Sequence, residues 1–326
     1  MYAMMECDVR NTFCPDDAVR IQRDDGMLSV RSVKLFAGKS TSSSTCCGQR
    51  LIHLDGALGS WGSAMISPYS DRPSTRGSSL VNASTLTSLA TSWNSAGYQV
   101  NIHAIGDLAN RWAIDALNAS LAASCTSNTT PADIQKCQQD LYRHRIEHAQ
   151  IIHPDDQARL HGLGIVPSIQ PTHATSDMSY ALSRLGHDRL NTSAYRMRSL
   201  LPLQPILGSD FPVEPPNPFH GMYAAIARKN PGTGLGVGMD GEKGVNASWY
   251  GQEALSFAQA LRGFTTNPAR GAFLEGRGGV ISEGAFADWV VLDEEVGLLE
   301  RDVEALRRVR VRETWVAGRR VYARQD

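Results

Sequence analysis

Several features that would assign a chain to a class at once are missing here. No apolar run approaches the roughly 20 residues of a membrane helix, which excludes a membrane segment of that kind in these residues. Neither sign of charge dominates. Lys plus Arg number 32 against 33 for Asp plus Glu, which excludes a polycationic face for nucleic acid. Aromatic residues make up 7% and form no platform on which sugars or bases would stack. No internal repeat is visible. The opening residues, Met-Tyr-Ala-Met-Met-Glu-Cys-Asp, have neither the basic start nor the long apolar centre of a signal peptide and read as a strand entered midway. The six cysteines are Cys7, Cys14, Cys46, Cys47, Cys125 and Cys137, and none has zinc-finger spacing.

What is present is ordinary in bulk: 326 residues, 42% apolar and 20% charged, enough for one large α/β barrel or two smaller domains. Sequons stand at Asn82, Asn118, Asn128, Asn191 and Asn246. Cys125 and Cys137 flank a polar loop that a disulfide would close. Both facts lean toward a secreted parent protein. The alternative is a cytosolic protein with reduced thiols and unused sequons.

Hydrophobic patterning predicts strands over residues 1–8, 28–37, 98–105, 141–149, 164–172 and 204–210. Helices are expected over 84–96, 108–121, 154–163, 193–200 and 252–263. Gly97 ends the first helix, and His153-Pro154-Asp155 caps the third. Strands alternating with helices imply a parallel sheet with right-handed crossovers. Six strands are counted where a closed (β/α)8 barrel has eight. Residues 309–323 read as two strands around a Gly318 turn, so the tail is a small β-rich addition. Residues 38–54 are foreign in composition, Ser/Thr-rich and without periodicity.

Three strand ends carry ligand-type side chains: His103, His148 and Asp210. Two neutral imidazoles and a carboxylate suit Zn²⁺ or a similar divalent ion. In a parallel barrel all these ends lie on one face, so distant residues converge without a local motif. A bound ion makes water a nucleophile for amide or ester carbonyls at neutral pH. Asp210 has the chemistry of both ligand and base. Lys34, inside the second strand, has two readings: a solvent-facing or edge lysine, or a carbamylated ligand that bridges two metals. Taken alone, His103 reads first as an ordinary structural histidine.

Further segments carry a resemblance. Val33-Lys-Leu-Phe-Ala37 with Asp55-Gly-Ala-Leu-Gly-Ser60, then Asn101-Ile-His-Ala-Ile-Gly-Asp107 and Arg145-Ile-Glu-His-Ala-Gln150, resemble amidohydrolase family 3, the YtcJ-like branch. So do Gln170-Pro-Thr-His-Ala-Thr-Ser-Asp177 and Leu207-Gly-Ser-Asp-Phe-Pro-Val-Glu214. Thr266-Asn-Pro-Ala-Arg270, Gly284-Ala-Phe-Ala-Asp-Trp-Val-Val-Leu292 and Thr314-Trp-Val-Ala-Gly-Arg-Arg-Val321 extend the match to the tail. The resemblance implies an α/β fold: a TIM-like barrel with a small β-sandwich, here an incomplete barrel over 1–275 and a C-terminal sandwich portion over 276–326. It implies a hydrolase of carbon–nitrogen, amide-type bonds that uses one or two divalent ions, Zn²⁺ first. His103, His148, Asp210 and Lys34 would hold metal, with Asp210 also catalytic. His173 and Asp177 would face substrate. The expected partner is a small-molecule amide-type substrate rather than nucleic acid, and a homodimer is left open.

Two departures qualify the match. The family opens with a His-x-His pair on its first barrel strand, and none occurs in these 326 residues. The expectation is therefore an N-terminally truncated chain that starts at the family's third strand. Its alternative reading is a catalytically incompetent remnant. The second departure is the segment 38–54, which interrupts a junction that reads seamlessly without it. It is 17 residues long, which corresponds to 51 nucleotides, an in-frame length for a retained intron. The alternative is a genuine surface insertion. On the intron reading, sequencing of the mature transcript should show these codons absent, and an mRNA that carries them refutes it.

Overall fold

The computed structural model describes residues 1–37, 56–125 and 130–325. The foreign segment 38–54 lies outside the described residues. The strands are β1 (Tyr2–Met5), β2 (Ile21–Gln22), β3 (Ser29–Phe36), β4 (Gln99–Ala104), β5 (Arg145–His148), β6 (Val166–Ile169), β7 (Ile206–Leu207), β8 (Gly236–Val237), β9 (Lys243–Val245), β10 (Trp289–Leu292), β11 (Val311–Val316) and β12 (Arg319–Ala323). The helices are α1 (Ala83–Ser95), α2 (Asp107–Ser124), α3 (Pro131–Cys137), α4 (Pro154–Leu163), α5 (Pro171–Asp177), α6 (Ala181–Ser193), α7 (Pro218–Ala227), α8 (Phe257–Phe264), α9 (Thr266–Gly271) and α10 (Val296–Arg301).

The main sheet runs β1-β3-β4-β5-β6-β7, with β2 attached to β3. The pairs β1/β3, β3/β4, β4/β5 and β5/β6 are parallel. Strand order follows chain order, without the reversal that marks a doubly wound sheet. That order is the wall of a singly wound barrel. The fold is thus α/β, an incomplete TIM-like barrel accompanied by the small antiparallel sheets β8-β9 and β10-β11-β12. All six strands expected for the barrel occur, with shorter bounds. The tail forms β11 and β12, joined through Gly318 at φ 71°, a conformation that glycine adopts without penalty.

The chain divides into two compact units: Met1–Ser168 with Tyr180–Arg196, and Ile169–Ser179 with Met197–Asp326. In the first unit every residue of β4 is buried. Val100, Ile102 and Ala104 belong to an apolar layer that includes Leu86, Ala90 and Trp93 of α1 and Ala113, Leu117 and Leu121 of α2. The alternate residues Gln99 and Asn101 bond to other buried groups. Tyr2 Oη donates to Gln99 Oε1 at 2.7 Å, and Gln99 Nε2 donates to the Arg143 carbonyl. Arg145 Nε donates to Asn101 Oδ1 at 3.0 Å. An alternating pattern predicts a half-buried strand; here both faces are dry, and the polar side chains of the second face bond across to neighbouring strands.

The junction between β4 and α2 is held tightly. Asn110 Nδ2 lies within 3.2 Å of the carbonyls of Ala104, Ile105, Gly106 and Ile151. A Cβ added at Gly106 would overlap the backbone of Ala64, whose carbonyl accepts the Leu108 N–H at 3.1 Å. Only glycine fits there. Asp107 Oδ1 accepts the Ile66 N–H at 2.7 Å.

Three local expectations change. Residues 138–142 form a π-turn that ends in left-handed Arg143, so the strand expected over 141–149 is shortened to β5. The helix expected over 193–200 is absent: Ala194 is extended and bridges Ile151, and Tyr195 is left-handed at φ 52°. The preceding residues form α6 instead. The helix expected over 252–263 begins late, at Phe257, because Ser256 and Gln259 form a capping box. His153 Nδ1 accepts the Asp155 N–H at the start of α4, as expected. Disulfides join Cys125 to Cys137, as the loop suggested, and also Cys7 to Cys14. No helix among the described residues is long and apolar enough to cross a membrane.

In the second unit, the Gly208 N–H donates to the Ile169 carbonyl at 3.0 Å and sets β7 beside the end of β6. Asn267 Nδ2 donates to the Pro205 carbonyl at 2.9 Å, which ties α9 to the entry of β7. Tyr223 on α7 donates to Glu304 at 2.7 Å. Trp289 and Trp315 stack across β10 and β11 at 5.5 Å.

His144, just before β5, is fully buried, and its Nδ1 accepts the Val100 N–H at 3.0 Å. Burial lowers its pKa to about 3. An unfolded imidazole titrates near 6.5, so between these values the unfolded chain binds a proton that the folded chain refuses. Stability should fall as pH drops below about 6.5, by roughly 1.4 kcal/mol per pH unit from this group. His144→Asn keeps an acceptor near Val100 and should remove that part of the slope in urea unfolding at pH 7, 6 and 5. Equal slopes in the two proteins refute the assignment.

Candidate functional site

In the first unit β3 lies between β1 and β4, so Lys34 is not on an edge strand. Its register partner is Asn101, and Phe36 is paired with His103. Lys34 Nζ lies 5.4 Å from the centre of the Phe36 ring. His103, at the end of β4, is buried and packs its ring against His148 at 4.4 Å, edge to face. His148 closes β5 with φ 73°, and Ala149 follows at φ 45°. Two successive left-handed residues without glycine cost about 1–3 kcal/mol each and concentrate at functional sites.

Beside this pair stands a buried ion pair. Arg145 and Glu147, both on β5, approach to 3.0 Å. Burial would push the Glu147 carboxyl up; the Arg145 guanidinium, Lys34 and the Ser168 hydroxyl outweigh it and hold the carboxyl below its ordinary value. Glu147 therefore stays ionised between two cations. The sequence marks Glu147 only as a strand-end residue; its partner was hidden because Arg145 reads as an exposed charge until both strand faces are known to be dry.

The second unit carries the other candidates. His173 sits in the first turn of α5, after Gln170 and Pro171. Burial lowers its pKa to about 4, so the imidazole is neutral at pH 7 and keeps a lone pair for a ligand. Asp210 follows β7 by three residues, at the surface, with φ 57°. A donor atom of His173 and one of Asp210 lie within 4.8 Å of each other. Asp177 ends α5, half-buried, outside that pair. Ser176 nearby donates to Glu214 at 2.6 Å.

Each unit thus holds one pair of donors at its strand ends: two imidazoles in the first, an imidazole and a carboxylate in the second. Neutral nitrogen with carboxylate oxygen is the donor set that divalent zinc takes, and the chemistry of these residues fits such an ion. Imidazoles and a carboxylate at the C-terminal ends of parallel barrel strands are the arrangement in which α/β-barrel enzymes hold a metal.

Comparison with known proteins agrees. The Amidohydrolase family model matches residues 7–322, and the chain belongs to that family. It is 31% identical over 293 residues to Protein LONG AFTER FAR-RED 3 of Arabidopsis thaliana, which covers 89% of this chain and 45% of that protein. It is 29% identical over 278 residues to YtcJ of Bacillus subtilis (strain 168), covering 84% and 47% respectively. Among solved structures, an uncharacterized metal-dependent hydrolase from Pyrococcus horikoshii OT3 aligns at TM-score 0.62 and 26% identity, over 82% of this chain and 45% of that one. The chain spans about half the length of the curated relatives it matches.

Arg145→Met leaves the Glu147 carboxylate buried without its closest cation. Such losses cost about 3–5 kcal/mol. Chemical denaturation should show a drop of that order. The double variant Arg145→Met, Glu147→Leu should recover much of it, and a single variant as stable as the parent refutes the pairing.

Proposed function

We propose that this protein is a metal-dependent hydrolase that cleaves carbon–nitrogen bonds of amide type, other than peptide bonds, with an activated water. The observation that carries the reading is the set of donors at strand ends, His103 against His148 in one unit and His173 with Asp210 in the other. Family membership supports it, as does a structural relative described as a metal-dependent hydrolase.

The reading takes His148 in the first unit, and His173 and Asp210 in the second, each as a metal ligand. His103, beside His148, is a further ligand, and Lys34, carbamylated at Nζ, serves where a second ion is held. His173 thereby shifts from substrate contact to ligand, while Asp177 keeps its place toward substrate. When bound, a divalent ion such as Zn²⁺ polarises the amide carbonyl and brings the pKa of water near 7. Asp210 accepts the proton of the attacking water at its carboxylate and returns it to the leaving nitrogen. Residues 1–275 act as the barrel portion and 276–326 as the sandwich portion. The two disulfides suit an oxidising compartment.

A second reading, a chain with the fold but no competent site, is favoured by one observation: no His-x-His pair occurs in the sequence. Metal analysis of purified protein separates the two. Stoichiometric zinc with amide hydrolysis supports the first, and loss of all metal on gel filtration supports the second. In an active preparation, Asp210→Asn should lower kcat by at least about 100-fold, the usual scale of acid–base catalysis, with expression unchanged. Retained turnover overturns the role of Asp210.

A further inference from the structure

β1 pairs with β3 only as far as Val33, so the Phe36 backbone beyond it faces an edge that β1 does not reach. A loop of the first unit fills the place. Asn11 Nδ2 donates to the Phe36 carbonyl at 2.9 Å, and the Phe36 N–H donates to Asn11 Oδ1 at 2.9 Å. These are the two bonds that opposite residues exchange in an antiparallel pair, made here by one side chain. Asn11 stands in left-handed backbone at φ 55°, which asparagine tolerates better than most residues. From the same loop, the Arg10 guanidinium lies 4.1 Å from the centre of the Phe36 ring.

The Cys7–Cys14 disulfide closes this loop. The Thr12 carbonyl accepts the Trp93 Nε1–H at 3.1 Å, and Phe13 packs edge-on against Trp93 at 4.9 Å. Cys7 and Cys14 are both half-buried, whereas Cys125 of the other disulfide is buried. Thiol–disulfide exchange depends on access to sulfur, so Cys7–Cys14 is the more open of the two to attack.

On its other side Phe36 meets a metal-ligand candidate. Its ring lies 5.4 Å from that of His103, its register partner, and the Ala37 N–H donates to the His103 carbonyl at 3.0 Å. Phe36 therefore joins the disulfide loop to the strand end that carries His103.

We propose that the loop Cys7–Cys14 is a redox-sensitive clamp on that strand end. A dithiol opens it. One thiolate of the dithiol attacks a sulfur of the Cys7–Cys14 bond, and the second resolves the mixed disulfide. The dithiol becomes a disulfide, and its two protons pass to the released cysteine sulfurs. With the loop open, Asn11 is no longer held against Phe36, and the contact between the Phe36 and His103 rings loosens. The role of His103 as ligand rests on the hydrolase reading; the clamp does not.

Amide exchange of the purified full chain, resolved by residue with NMR, tests the clamp without metal or turnover. A dithiol should speed exchange of the Phe36 N–H roughly tenfold, the scale of one to two lost hydrogen bonds, and the Ala37 N–H should follow. Ile146, within β5, should keep its rate. The double variant Cys7→Ser, Cys14→Ser should behave without dithiol as the reduced protein does. Asn11→Ala retains the disulfide and should speed Phe36 to a similar degree, a check that stands where the double variant fails to fold. Zinc, added to the oxidised protein and to the double variant, should bind the variant roughly tenfold more weakly, the lower end of what supports of metal-ligating histidines contribute.

Unchanged exchange at Phe36 on reduction overturns the clamp. So does faster exchange at Phe36 with Ala37 unaltered, because the loop then acts on Phe36 alone. Equal speeding of Ile146 also overturns it, since the disulfide is then a staple of the whole unit. Failure of both proteins to bind zinc removes the hydrolase reading, and the exchange rates still decide the clamp. Equal zinc affinity in both overturns the link from the loop to His103 and leaves the hydrolase reading intact.

Discussion

In the first unit, β4 and β5 bury the side chains of both faces, and the polar side chains on the second face meet partners inside the protein. Tyr2 with Gln99, Asn101 with Arg145, and Arg145 with Glu147 are such pairs. The cost of an unpaired buried charge is several kcal/mol, so these contacts constrain strand register as firmly as the apolar layer does. A slip of one residue would turn Glu147 toward the helices and Ile146 toward the polar face. Lys34 and His103 occupy the positions they do because that register holds.

The ends of the strands depart from regular geometry where donors are presented. His148, Ala149 and Asp210 all take left-handed backbone, although none is glycine. Strain of this kind persists only where surrounding contacts over-determine the chain. In the first unit the Ile151 N–H bonds to the Ile105 carbonyl, and Asn110 gathers the carbonyls of two adjacent loops. In the second, the Val213 N–H bonds to the Asp210 carbonyl and closes the turn. The donors are thus carried by short, pinned segments, which limits how far each can move to meet a ligand.

Membership of the Amidohydrolase family bounds the chemistry without choosing a substrate. Function lives in the site and its neighbouring loops, and related folds differ there most.

The order of strands, the two-strand tail and the strand-end histidines were legible in the chain itself, because alternation and turn residues are local properties. The motifs around Lys34, His103, His148, His173 and Asp210 likewise stand in the sequence as residue types within predicted strands or just after them. The Cys125–Cys137 disulfide was legible as a loop flanked by two thiols, whereas Cys7–Cys14 was not. Tertiary structure alone decided what each residue meets. It paired Arg145 with Glu147, turned Asn94 and Asn110 into buried bonds between segments, and replaced the helix expected over 193–200 with a bridge to Ile151. It also set His148 and Asp210 in left-handed backbone, a state that His and Asp adopt more readily than most residues but that no local pattern assigned to these two. The physical reason is range: periodicity reports which face of an element is apolar, but burial of the other face depends on neighbours far along the chain, and those neighbours decide whether a charge is solvated or paired.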